Sequence, residues 1–144
     1  MKETVVQEFE YHLKIIEAHL DTFGHVNNAT YLELYEEARW DFISERGFGL
    51  KDIQKKKMGP VILDLHLKFK RELKNRENIK IVSKSLPQEH PLIMHLEQKM
   101  IKENGELASS VTMSVGLMDL EKRKLIKPTA EWLHAIGFED TSRD

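Results

Sequence analysis

Over residues 29–46 apolar side chains recur at helical spacing, and this one long segment constrains the fold more than any other stretch of the chain. At ~100° per residue, Tyr31, Leu34, Tyr35, Ala38 and Phe42 gather on one side, while Glu33, Glu36, Glu37 and Trp40 fall elsewhere. Gly47 is a natural stop. A helix with so broad an apolar face has to bury it against another layer.

The flanking sequence offers strands for that layer. Phe9, Tyr11, Leu13 and Ile15 alternate with Glu10, His12 and Lys14, a period of two that predicts a strand with one covered face. Between this strand and the helix lies a polar loop over residues 18–28, containing Gly24 and the pair Asn27-Asn28. After a lysine-rich connection (residues 51–57) and a Gly59-Pro60 turn, alternation returns. Leu63, Leu65, Leu67 and Phe69 point one way, and Asp64, His66, Lys68 and Lys70 the other.

Further strands are predicted over residues 79–86, 92–102 and 107–118, and the last two are joined by Glu103-Asn104-Gly105-Glu106. An Asn-Gly pair between two strand-like runs is a strong hairpin signal, and a hairpin makes its strands antiparallel. Pro128 then opens a short helix that runs to Ile136 and ends at Gly137. The order predicts an α+β fold, with an antiparallel sheet of about five strands wrapped around one long helix, plus a short C-terminal helix. No repeat, low-complexity tract or Gly/Ser linker divides the chain, so residues 1–144 are expected to form a single domain.

Composition narrows the function. A formal net charge of -2 gives no global field for nucleic acid. The absence of cysteine excludes disulfides, thiolate metal sites and cysteine nucleophiles. The first seven residues are too polar for a signal peptide, and no apolar run approaches the ~18 residues of a membrane span. A cytoplasmic enzyme or binding protein is expected.

The segment Asp21-Thr-Phe-Gly-His-Val-Asn-Asn-Ala-Thr-Tyr-Leu-Glu-Leu-Tyr-Glu-Glu-Ala-Arg39 closely resembles the signature of the 4-hydroxybenzoyl-CoA thioesterase-like hotdog family: D-x-x-G-H-V-N-N-x-x-Y, then E-x-A-R on the same helix. The resemblance implies a hotdog fold and hydrolysis of an acyl-CoA thioester without metal or bound cofactor. It also implies a homodimer, or a homotetramer built from dimers, with active sites at the subunit interface. By position Asp21 resembles the catalytic carboxylate, and the backbone amide of Asn28 the group that polarises the thioester carbonyl. Many relatives carry a second acidic residue two places before that aspartate, where this chain has His19.

The chemistry suits those groups. Attack on a thioester puts negative charge on the carbonyl oxygen, and free amides at a helix N-terminus are preorganised to stabilise it. Gly24 lets the loop approach substrate backbone-first. Asp21 would either attack the carbonyl, forming a mixed anhydride, or take a proton from water. The competing reading makes Asp21 a cap for a turn or helix. His25 either positions water or substrate, or is a satisfied loop residue.

Asn27 is expected to cap the helix, with any substrate contact secondary. Tyr35 is expected in the core, and Tyr31 either in the core or lining the acyl pocket. Glu36 and Arg39 are expected to pair on the helix surface. Lys68, Lys70, Arg71 and Lys74 form a solvated strand end that would also suit the coenzyme A phosphates. Trp40 is expected off the apolar side, at an interface or against Trp132 and Leu133. Two other functions stay open: a hotdog hydratase or dehydratase, although the D-x-N-P-x-H and G-H-F-P patterns are missing, and a non-catalytic acyl-CoA-binding module. Acyl carrier protein is an alternative carrier.

Overall fold

The computed structural model describes residues 4–140. In chain order these form β1 (Thr4–Val6), β2 (Glu8–Lys14), α1 (Asn28–Ile43), α2 (Leu50–Lys56), β3 (Met58–Phe69), β4 (Asn78–Ser85), β5 (Ile93–Lys102), β6 (Leu107–Asp119), β7 (Lys124–Ile126), α3 (Ala130–Ala135) and β8 (Phe138–Asp140). One antiparallel sheet runs β2-β4-β5-β6-β3, with β7 added against β6. A separate ribbon pairs β1 with β8.

The five residues predicted to share the apolar face of α1 are all buried. Phe42 stacks on Phe9 of β2 at 4.2 Å between ring centroids, and the Tyr35 hydroxyl donates to Ser109 Oγ of β6 at 2.9 Å. The sheet therefore curves around the helix from β2 to β6, the expected hotdog architecture. Each buried aromatic side chain contributes about 2–3 kcal/mol of apolar burial. Among the described residues no helix is long and apolar enough to cross a membrane.

Several local expectations need correction. Residues 51–57 are not a loose connection: α2 forms there, with the Gly49 N–H bonded to the Asp52 carboxylate at 3.0 Å and Lys57 ending it in the left-handed region. Lys56 pairs with Glu131, and Lys57 with Glu121 at 2.7 Å. Gly59 and Pro60 are not a turn but the start of β3, in register with Met118 and Leu117. Proline is tolerated there because β3 is an edge strand with no second neighbour. A bulge shifts register between Ile62 and Asp64. Of the four β3 residues expected to share a covered face, Leu63, Leu65 and Phe69 are between 38% and 53% exposed, and Leu67 is half-buried against the core.

The helix-facing side of the sheet also carries polar groups. Gln98 is fully buried; its amide donates to the Tyr35 carbonyl at 3.0 Å and to Ser83 Oγ at 2.9 Å. Its oxygen accepts from Arg39 at 2.9 Å. Arg39 thus leaves the expected surface pair with Glu36 and turns toward the sheet, since a buried amide oxygen without a donor is costly. Burial lowers the Arg39 pKa from its ordinary value, with Glu36 opposing the shift.

Candidate active site

The site starts where β2 ends. Ile15 is buried and tied by backbone bonds to Glu77 and Arg76. A 3-10 turn, Glu17–His19, follows, closed by the Ile16 N–H donating to His19 Nδ1 at 3.0 Å. Leu20 and Val26 then form an antiparallel bridge, so residues 21–25 must loop tightly between them.

Asp21 organises that loop. Its N–H donates to the His25 carbonyl at 2.8 Å, and its Oδ1 accepts from the Phe23 N–H at 2.8 Å and the His25 N–H at 3.3 Å. Its Oδ2 makes no hydrogen bond among the described residues. Gly24 has φ +83, and a Cβ there would meet nothing within 4 Å, so its requirement is backbone conformation. Asp21 therefore does what the turn-capping alternative supposed, while one carboxylate oxygen stays free.

The helix start comes immediately after. Asn27 caps α1 as expected, accepting from the Ala29 N–H at 2.9 Å, and its carbonyl takes the Thr30 N–H at 3.0 Å and the Tyr31 N–H at 3.4 Å. The Asn28 N–H is left without an acceptor among the described residues. A free carboxylate oxygen and a free helix-terminal amide thus belong to one short, pinned segment.

His25 Nε2 is paired with the Glu72 carboxylate, in the segment after β3. Tyr31 is buried, and its ring meets Phe69 edge-on at 4.9 Å, so the end of β3 lies over the first turn of α1. Burial, then Glu72 and Glu77, raise the Tyr31 pKa. The same crossing brings Lys68, Lys70 and Arg71 to the Asp21 end of the molecule. Arg71 is engaged by Glu106 at 3.1 Å, whereas Lys68 and Lys70 are exposed and form no ion pair among the described residues. Glu72 was missed from sequence because its partner is distant in the chain and no motif contains it.

A second feature had no sequence signal. Beside the C-terminal half of α1 lies a cavity of about 100 Å³, lined by Arg39, Trp40, Pro60, Met94 and Trp132 among others. Trp40 and Trp132, expected to touch or to serve an interface, share this cavity wall.

Residues 17–136 match the model of the thioesterase-like superfamily, and the chain belongs to that family. It is by class a hotdog thioester hydrolase. The long-chain acyl-CoA thioesterase FadM of Escherichia coli (strain K12) is 28% identical over 115 residues, 79% of this chain and 86% of that protein. The solved structure of the probable thioesterase YbaW from Escherichia coli superposes with a TM-score of 0.76 at 26% identity, covering 88% of this chain and 95% of that one. The Staphylococcus aureus protein SAV2348, solved in complex with CoA, has a TM-score of 0.82 at 18% identity over 92% and 83% of the two chains, a likeness of fold.

Proposed function

We propose that this protein hydrolyses an acyl-coenzyme A to the free acid and coenzyme A, with Asp21 as nucleophile or general base. One observation carries the reading: the Asp21 carboxylate, fixed through Oδ1 by two backbone amides, stands just before a helix whose Asn28 N–H has no acceptor among the described residues. The Asn28 N–H polarises the thioester carbonyl, and the oxyanion that forms on attack is stabilised by that amide and by the helix dipole behind it. Asp21 Oδ2 either bonds to the carbonyl carbon, expelling the coenzyme A thiolate and leaving a mixed anhydride that water then cleaves to the free acid and the restored carboxylate, or removes a proton from a water that attacks the carbonyl and expels the thiolate. Gly24 keeps the loop tip free of a side chain, and the pairing of His25 with Glu72 holds the loop against the segment after β3. Asn27 acts by fixing the helix start and Tyr31 by supporting the first turn from beneath.

Lys68 and Lys70 are assigned to the coenzyme A phosphates, with Arg71 a weaker candidate because Glu106 already engages it. The names of the relatives, FadM among them, support acyl-CoA as substrate class. The open edge of β3, with its exposed apolar residues, supports a homodimer in which that edge meets a second copy, alone or as half of a tetramer. The test is hydrolysis of a panel of acyl-CoAs by purified protein. Failure to cleave any of them above background ends the assignment.

A further inference from the structure

Residues 22–25 of the Asp21 loop are all exposed, so burial does not hold them. Their backbone hydrogen bonds among the described residues stay inside the loop. Phe23 and His25 donate to the Asp21 carboxylate, Gly24 donates to the Asp21 carbonyl at 3.1 Å, and the His25 carbonyl takes the Asp21 N–H. Among the described residues, the side chain that ties this loop to the rest of the molecule by an ion pair is His25, through Glu72.

Glu72 stands on a fixed mount. Leu73 beside it is fully buried, and the Glu72 carbonyl accepts from Lys102 Nζ at 2.9 Å. The same ammonium pairs with Glu77 at 3.3 Å, and those two side chains are only 15% and 18% exposed. Glu77 closes the turn over residues 74–77 by accepting the Lys74 N–H at 3.0 Å, and its carbonyl takes the Ile15 N–H at 2.8 Å. Arg76 Nε donates to Glu17 at 2.8 Å. Residues 72–77 therefore grip the chain on both sides of the loop. They hold it at Ile15 and Glu17, where it leaves β2, and at His25, shortly before α1 begins.

Resting on the thioesterase reading, we propose that Glu72, mounted by Lys102 and Leu73, is a positioning residue that acts through the His25 ring to keep the Asp21 carboxylate aligned. A carboxylate only accepts, so the ring nitrogen that meets Glu72 carries the proton. His25 is joined to Asp21 by its N–H and by its carbonyl, so a fixed ring fixes the frame in which the Asp21 carboxylate sits. The His25 and Glu72 side chains are 53% and 43% exposed. A pair so open to solvent shifts an equilibrium by no more than about fivefold, which sets the share of Asp21 alignment that depends on Glu72.

Amide hydrogen exchange followed by NMR reads the loop independently of turnover. Glu72→Ala is expected to speed exchange at Asp21 and His25 about three- to fivefold, and to leave Gln98 and Met100 in the sheet unchanged. For the acyl-CoA that the wild type cleaves fastest, kcat is expected to fall by the same factor, with KM within about twofold. Glu72→Gln keeps an acceptor for the His25 Nε2–H and is expected to restore exchange and kcat to within about twofold of wild type. In a His25→Ala background, Glu72→Ala is expected to lower kcat no further. Unchanged loop exchange, an unchanged kcat, a loss that Glu72→Gln does not rescue, or a further loss in the His25→Ala background overturns the proposal. Faster exchange throughout the sheet also overturns it, because Glu72 would then stabilise the fold at large. If the wild type hydrolyses no acyl-CoA, the thioesterase reading falls, while exchange still decides whether Glu72 fastens the loop.

Discussion

The Asp21 carboxylate and the Phe23 backbone amide are joined at 2.8 Å through one oxygen of the carboxylate only. Holding the loop and doing chemistry are thereby divided between the two oxygens of a single side chain, and they can be separated by substitution. Asp21→Asn keeps an acceptor for the Phe23 and His25 amides but loses the charge. It is expected to leave thermal stability within about 0.5 kcal/mol while lowering kcat about 100- to 10,000-fold. Asp21→Ala loses both, and its further destabilisation of about 1 kcal/mol is read by urea denaturation. Full activity in Asp21→Asn would refute the catalytic role.

Gln98 satisfies three partners from a fully buried position. Gln98→Ala leaves Arg39, Ser83 and the Tyr35 carbonyl short of partners, and an expected loss of roughly 2–4 kcal/mol follows. In urea the midpoint falls with an unchanged slope. A loss below about 0.5 kcal/mol would mean that water replaces the amide.

The exposed apolar edge of β3 predicts concentration-dependent assembly. Leu65→Lys places a charge in the proposed contact and is expected to convert the dimer to monomer, seen by light scattering coupled to size exclusion. Because the active site is expected at that interface, kcat/KM falls with the dimer fraction. A variant that stays dimeric places the contact elsewhere.

All three tyrosines of the chain have raised pKa values. Hydrogen bonding to Glu37, then burial, pushes Tyr11 up to about 12, and burial leads for Tyr31 and Tyr35. Neutral phenols are favoured by the fold, so their contribution is complete below pH ~10 and is lost as pH rises from there toward 12. The native protein is expected to show far less than half-maximal phenolate absorbance at pH ~10, with the missing signal returning in urea. Half-maximal absorbance in the folded state at that pH would contradict these environments.

What the sequence made legible follows from locality. The α1 face, the Asn104-Gly105 hairpin and the Asn27 cap depend on neighbours within a few residues, and each was readable. Position alone also drew attention to Asp21 and Asn28, through a motif. Contacts that depend on the sheet closing were not readable: Glu72 meets His25, Arg39 meets Gln98, and the cavity wall is assembled from α1, β3, β5 and α3, which are distant in the chain. Gly59-Pro60 misled because its usual meaning is a turn; an edge strand is the exception in which proline lacks no ladder partner. The paired β1 and β8 are three residues each, too short for a period to declare itself.

The two borders of the main sheet are unlike. β2 displays Glu8, Glu10, His12 and Lys14 to solvent, while β3 has at its third residue, Pro60, no N–H to offer, shifts register after Ile62, and only then runs regularly. A second molecule that docks on the regular half uses up the sole greasy rim on each side and turns two charged rims outward. Growth by adding strands ends there, so this architecture resists running on into a fibril.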